Sequence, residues 1–442
     1  MKTSFNNNSH SIYLPAVNDS YASVISKPFP QDRPFPKGLN LRDLAFWESD
    51  ALWHYPFLLH SIGLYSVGTH PNNAVTQRNP NNNVLVGDSG GFQIGKGTLK
   101  GLSHIRPKLM TAQKAVNAWQ CEVDTRRWIV GWLDAHAQYA MTLDMPLWAT
   151  SSDGNNSPFH NCSTQQLIDM TVNNLKFIEW YTTDRAKWLN VIQGGEDTSQ
   201  ILVWWNAVKW FRRGGWAMAG SAGAKGGLAN MLSTLLTMRD DGAFDTGQDW
   251  LHVLGVSTPM WAVFLTSIQQ ALQTINPALR VSYDSSSPFH HGGKYEKVAL
   301  TPAYSSEKRT WSIGVEAAPQ SRRYADPALC IPFAHSQSPL GKRLQLHHLS
   351  VRAGIWDQRH FDSISNVLLI NHNVWVYLDA FNTANLLAAT RNEARVPRQY
   401  IQCMDFISEI FKSNAWAGLL SRNKALLDAV APSGYKAWSD GS

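Results

Sequence analysis

Apolar residues along this chain gather in short runs that end on a polar or glycine-rich tip, and most tips lead into a helical pattern. Val84-Leu85-Val86 runs into Gly87-Asp88-Ser89-Gly90-Gly91-Phe92-Gln93, Met141-Thr142-Leu143 into Asp144-Met145-Pro146, and Leu189 to Ile192 into Gln193-Gly194-Gly195. Trp216 to Ala219 ends at Gly220-Ser221-Ala222-Gly223, Leu251 to Leu254 at Gly255, and Leu279 to Tyr283 at Asp284-Ser285-Ser286-Ser287. Short apolar runs bounded by turn residues read as buried strands. Between them lie helix signals. Ser163 and Gln166 stand at capping-box spacing ahead of Ile168, Val172, Leu175 and Ile178, which share one helical face. Leu228, Leu232, Leu235 and Met238 mark a second helix, and Thr258-Pro259 starts a third bearing Phe264, Ile268, Ala271 and Ile275.

Strand, polar tip and helix in repetition predict parallel βα units, hence an α/β fold, and their number favours a (β/α)8 TIM-type barrel with insertions over an open sheet. Barrel enzymes keep their chemistry at the carboxyl ends of the strands, so Asp88, Asp144, Gln193, Gly220 and Asp284 are expected around one mouth. Taken singly, each is more readily a helix cap or turn residue. Five in the same structural position make that explanation poor. The glycines after Val86 let the backbone turn sharply, presenting Asp88 and Ser89 beside exposed N–H groups.

Three regions are expected. Residues 1–45, polar and punctuated by Pro28, Pro30, Pro34 and Pro36, read as an arm laid over the barrel; residues 46–290 form the barrel core. Residues 291–442 form a C-terminal part that completes the barrel and carries an appended subdomain.

Composition narrows the function. With 44% hydrophobic and 16% charged residues, the chain of 442 residues is a folded globular protein rather than a disordered one. A formal charge of +6 admits an anionic partner without requiring one. The 4 cysteines are widely spaced and include no CxxC pair, which points to a reducing compartment. No secretory signal and no membrane-spanning run is evident, so a cytoplasmic location is expected, the host's if the chain is phage-encoded. The 19 tryptophans read as core before they read as base-stacking surfaces. Lys96, Lys100, Arg106 and Lys108 form a basic loop after the Asp88 strand, suited to phosphates but also to plain solvation.

In order and spacing, Asp88-Ser89-Gly90-Gly91-Phe92-Gln93, Asp144, Gln193-Gly194-Gly195, Gly215 to Ala222, His252-Val253-Leu254-Gly255-Val256 and Asp284 resemble the tRNA-guanine transglycosylase superfamily. The likeness covers roughly residues 84–290, with a weaker continuation from His347 to Asn373. It implies an enzyme that exchanges guanine in a nucleic acid for a 7-deazaguanine without breaking the strand. Cleaving an N-glycosidic bond through an oxocarbenium-like transition state calls for one carboxylate at the sugar carbon and another group to manage the base's proton. The resemblance assigns these roles to Asp284 as nucleophile at C1′ and Asp88 as general acid/base. It assigns base recognition to Ser89, Asp144, Gln193 and the Gly220 N–H, and places Leu254 and Gly255 beside the 7-substituent. The hydrogen-bond inventory agrees: a carboxylate accepts from guanine N1–H and the 2-amino group, while an amide and a backbone N–H donate to O6.

The chain departs from the family in its metal site. Three closely spaced cysteines and a histidine are usual, whereas here Cys330 stands alone, with His335 nearby and His372 resembling the final histidine. Cys330, His335 and His372 could hold structural zinc with His347, His348 or Cys403 as fourth ligand; alternatively the site has decayed into packed side chains. This erosion, with the long insertions, makes the chain look more like the DNA 7-deazaguanine transglycosylases of phages and bacterial DNA-modification clusters. The expected partners are therefore DNA, with its target guanine flipped out, and a free 7-deazaguanine base, the 7-cyano form preQ0 being the leading candidate. Lys96 to Lys108, Arg212-Arg213 and Arg322-Arg323 are candidate phosphate-gripping loops. tRNA is the alternative substrate. A non-catalytic nucleic-acid-binding homologue is a third reading, which two retained carboxylates disfavour. Base exchange is close to isoenergetic, so no nucleotide cofactor is implied.

Overall fold

A computed structural model describes residues 9–28, 33–102, 104–105, 110–151, 154–194, 197–220, 226–305, 310–319, 338–349 and 361–430. Eight parallel strands form one sheet: β1 Ile12–Pro15, β2 Phe57–Ser61, β3 Val84–Asp88, β4 Tyr139–Met141, β5 Lys187–Gln193, β6 Gly215–Ala219, β7 Trp250–Val253 and β8 Arg280–Ser285. From β2 to β7 each strand pairs with the next, and β8 pairs with β1. The β1–β2 seam closes through a parallel bridge between Ala16 and Leu59 and the Val17 N–H donated to the Leu59 carbonyl at 2.9 Å. The fold is a (β/α)8 TIM-type barrel.

The six strands read from the sequence stand within a few residues of their expected places. β1 is a correction. The segment read as an arm, residues 1–45, supplies a barrel strand, because Ile12 and Leu14 fill the barrel interior while Tyr13 on the other face packs against the helices. Period-two alternation governs the other strands too. Leu59, Val86, Met141, Leu189, Val191, Ala217 and Trp250 join Ile12 and Leu14 in the interior plug. Burying each of the leucine, isoleucine, valine and methionine side chains contributes about 1.5–3 kcal/mol.

Helices Val123–His136, Thr164–Tyr181, Thr198–Val208, Gly227–Asp240 and Pro259–Gln273 follow β3 to β7. Their starts are set as the sequence predicts. Ser163 Oγ accepts from the Gln166 N–H and the Gln166 side chain accepts from the Ser163 N–H, a complete capping box, and Thr258 caps a helix with Pro259 in its first turn.

In the C-terminal part, helix Ser363–Ala389 packs against helix Pro259–Gln273 and helix Asp19–Ile25. Its Phe381 ring lies 4.8 Å from Tyr13 and 5.6 Å from Tyr283, so it covers the β1–β8 seam. Two short antiparallel pairs precede it: β9 Lys297–Ala299 with β12 Val315–Ala317, and β10 Ala303–Ser305 with β11 Thr310–Ser312. No described helix is long and apolar enough to cross a membrane.

Candidate active site

Continuing the alternation two residues beyond the interior plug locates the polar layer. Leu59 leads to Ser61, Val86 to Asp88, Val191 to Gln193 and Trp250 to His252, and on β8 the buried polar Ser282 leads to Asp284. All five lie at the carboxyl ends of their strands. Asp144 joins them from the turn just after β4.

Asp88 sits at the end of β3, where Gly90 turns the chain in a left-handed conformation, φ +80°. A Cβ on Gly90 would fall 2.7 Å from Gly63 Cα, so the turns after β2 and β3 meet backbone to backbone, an approach only glycines permit. Asp88 Oδ1 accepts from the Gly90 N–H at 3.3 Å, and the carboxylate also bonds to the Ser61 hydroxyl. Burial raises the Asp88 pKa above the ordinary carboxylate range; these two hydrogen bonds oppose the rise, while the Asp284 charge adds to it.

On β8, Asp284 Oδ1 accepts from the Gly255 N–H at 2.9 Å and lies 3.3 Å from His252 Nε2. The glycine expected beside a substrate's 7-substituent thus gives its backbone N–H to the Asp284 carboxylate. Leu254, partly buried, packs against the interior plug.

Asp144 is buried and bonded to the Gln193 amide, whose Oε1 in turn accepts from the Leu147 N–H at 3.3 Å. Burial pushes the Asp144 carboxyl up to about 7; the Gln193 amide opposes this and the Asp88 charge reinforces it. Gly91 makes room for the acid, since a Cβ there would fall 3.0 Å from Asp144 Oδ1. Electrostatic coupling runs from Asp284 to Asp88 and from Asp88 to Asp144, so three carboxyl groups form one cluster.

Ser89 is placed differently from its neighbours. Its hydroxyl donates to the Thr142 carbonyl at 3.0 Å and its side chain is sealed from solvent, tying β3 to β4. Gly220 ends β6 with φ +76° beside Gly194, which gives its N–H to Ala219. Gly195 and Ser221 to Ala222 lie outside the described residues.

Among the proposed metal ligands, Cys330 and His335 lie outside the described residues. His372 is buried, with Nδ1 2.8 Å from Ser338 Oγ and Nε2 3.0 Å from the Ala299 carbonyl oxygen. The carbonyl can only accept, so Nε2 carries the proton and Nδ1 takes one from Ser338. That histidine has no lone pair to offer a metal without breaking the Ser338 bond. Cys403 is buried in the core, and His348 Nδ1 accepts from the Gln345 N–H at 3.0 Å. Among the described residues no three His, Cys, Asp or Glu side chains form a metal-holding group.

The candidate phosphate loops separate. Lys96 lies over the Phe92 ring, 4.6 Å from its centroid, and Phe92 packs against Trp148, which follows Asp144 in the chain. Arg212 and Arg213 directly precede β6 and so stand at the amino end of the barrel, away from the carboxylates, with Arg213 paired to Asp184 at 3.1 Å. This corrects the expectation that they could grip a substrate at the mouth. Arg106, Lys108, Arg322 and Arg323 lie outside the described residues.

The sequence singled out Asp88, Asp144, Gln193 and Asp284, carried His252 inside a motif without a role, and did not point to Ser61 or Ser282. For Ser61 and His252 the signal was a polar residue two positions beyond an inward apolar one, near a strand's carboxyl end. Compared with protein-family models and with curated proteins, the chain finds no match.

Proposed function

We propose that this chain is a pentosyltransferase of the tRNA-guanine transglycosylase type that replaces guanine in DNA with a 7-deazaguanine, preQ0 being the leading candidate, through a covalent Asp284–sugar intermediate. The observation that carries the reading is the pairing of Asp88 and Asp284 in one polar layer with unlike surroundings. Asp88 is raised by burial, which suits a group that gives a proton to departing guanine and takes one from the incoming base. Asp284 has a backbone N–H fixed on one oxygen, which suits a carboxylate that must present the other to C1′.

Recognition of the base falls to Asp144 and Gln193. Bonded to each other, they offer a guanine edge an acceptor for N1–H and the 2-amino group and a remaining amide hydrogen for O6. Guanine in a duplex must leave the stack to reach this layer, so the reaction includes base flipping. The Phe92–Trp148 pair and Lys96 are candidates to meet the extruded strand through stacking and charge.

The test is to incubate the protein with labelled 7-cyano-7-deazaguanine and either guanine-containing duplex DNA or tRNA, and count incorporated label. Label in DNA is expected. Label in tRNA alone would make the chain a tRNA enzyme, and label in neither would remove the exchange reading.

A further inference from the structure

Two histidines are fully buried in barrel strands, and they differ in one respect. His60 has both ring nitrogens engaged, Nδ1 with the Val17 carbonyl at 2.7 Å and Nε2 with the Tyr65 hydroxyl at 2.8 Å. It is a structural residue. His252 has Nδ1 2.9 Å from Ser282 Oγ, but its Nε2 has no hydrogen-bond partner among the described residues and stops 3.3 Å from Asp284 Oδ1, off line for a good hydrogen bond. A buried ring nitrogen left facing a carboxylate is an arrangement that packing alone does not require.

The Ser282 hydroxyl bears on the ring's tautomer. The Trp250 indole N–H donates to Ser282 Oγ at 2.7 Å, so the serine's own proton is available to His252 Nδ1. With that proton given to Nδ1, the ring proton lies on Nε2, facing Asp284, the arrangement a carboxylate acceptor favours. Among the described residues, both contacts to Asp284, from His252 and from the Gly255 N–H, fall on Oδ1. Oδ2 is left for the reaction.

Resting on the exchange reaction proposed above, we infer that His252 is a positioning residue: its Nε2–H, fixed by Ser282 and Trp250, holds Oδ1 of Asp284 so that Oδ2 is the atom that attacks C1′. In the first half-reaction the C1′–Oδ2 bond forms as C1′–N9 breaks. The bonding pair leaves on the guanine, which takes a proton from Asp88. In the second half N9 of the incoming base attacks C1′, the C1′–Oδ2 pair returns to Asp284, and Asp88 recovers its proton. The same two donors meet the charge as it returns to Oδ1 and Oδ2. The off-line 3.3 Å contact is a resting geometry, of the kind that tightens when the reacting complex forms.

The experiment measures kcat and the KM for 7-cyano-7-deazaguanine in His252→Phe and His252→Gln, alongside the tautomer of His252 in the wild type by nitrogen-15 histidine NMR. His252→Phe should lower kcat about 10- to 100-fold, the loss expected of a misaligned nucleophile, with KM changed less than about twofold. His252→Gln, which keeps a donor near Nε2, should recover kcat to within about fivefold of wild type. Equal losses in both variants would reduce His252 to packing, and full activity in His252→Phe would overturn the inference. The NMR reading stands even if a variant fails to fold. An Nε2–H tautomer whose signal moves in Asp284→Asn supports the contact, and an Nδ1–H tautomer overturns it. Absence of exchange by the wild type would instead defeat the reaction reading, leaving the tautomer to test the contact alone.

Discussion

Asp144 shows what a polar layer costs a barrel. Its carboxyl is pushed up to about 7 by burial first, with the Gln193 amide pulling against the rise and the Asp88 charge adding to it. In the unfolded chain the group titrates at an ordinary carboxylate value of 3.8. Below that value both states are protonated and nothing is lost. As pH rises towards 7 the unfolded chain releases its proton first, so stability falls, and the loss is complete once the folded group has ionised. Asp144→Asn keeps a side-chain acceptor for the Gln193 amide and cannot ionise. It should therefore stabilise the protein by about 2–3 kcal/mol more at pH 8 than at pH 5, read by chemical denaturation. A pH-independent difference would remove the buried-carboxyl explanation. At this scale the sequence was legible where a carboxylate or amide ended an apolar run, as with Asp88, Gln193 and Asp284. The roles of His252 and Ser282 were not, because a lone histidine or serine inside a strand reads as core until the register of β7 on β8 pairs the two, next to the strand end that carries Asp284.

Helix Ser363–Ala389 carries three consecutive buried polar residues, and each ties it to a different part of the chain. Asn371 accepts from the Trp53 indole at 2.9 Å and donates to the Tyr21 hydroxyl at 2.9 Å and the Leu44 carbonyl at 3.0 Å. His372 holds Ser338 and the Ala299 carbonyl, while Asn373 accepts from the Ala299 N–H at 2.7 Å and donates to the Lys297 carbonyl at 3.0 Å. His372 and Asn373 thus treat β9 much as a neighbouring strand would. Asn373→Ala would leave that N–H and carbonyl buried without these partners and should lower stability by about 2–4 kcal/mol. Equilibrium denaturation should show this with an unchanged m-value, and a loss below about 0.5 kcal/mol would mean the strand finds other partners. The helix was readable as a helical stretch, but the bonds of its buried Asn-His-Asn centre were not, because sequence alone does not reveal which backbone groups need partners. β1 escaped for a related reason. Four residues between polar flanks carry little signal, and only closure of the barrel explains why Ile12 and Leu14 are inside.

For the whole molecule, barrel closure converts strand alternation into function. The period that fills the interior with Val86, Val191 and Trp250 sets Asp88, Gln193 and His252 above it in one layer. Fold class was legible because six apolar runs with polar ends recur in order. The chain's +6 charge favours an anionic polymer in general, yet the mouth holds three coupled carboxyl groups. A phosphate backbone must then be held at the rim while a neutral base enters, and Lys96 over Phe92 is a cation close to the chain turn that carries Asp88. The central claim is covalent capture of the sugar by Asp284. The most direct measurement is denaturing electrophoresis with mass spectrometry after mixing the protein with guanine-containing DNA and no incoming base. A protein–DNA adduct should form, map to the peptide carrying Asp284, disappear on adding 7-cyano-7-deazaguanine, and be absent from Asp284→Ala. An adduct that persists in Asp284→Ala, or base exchange by that variant at the wild-type rate, would contradict the account.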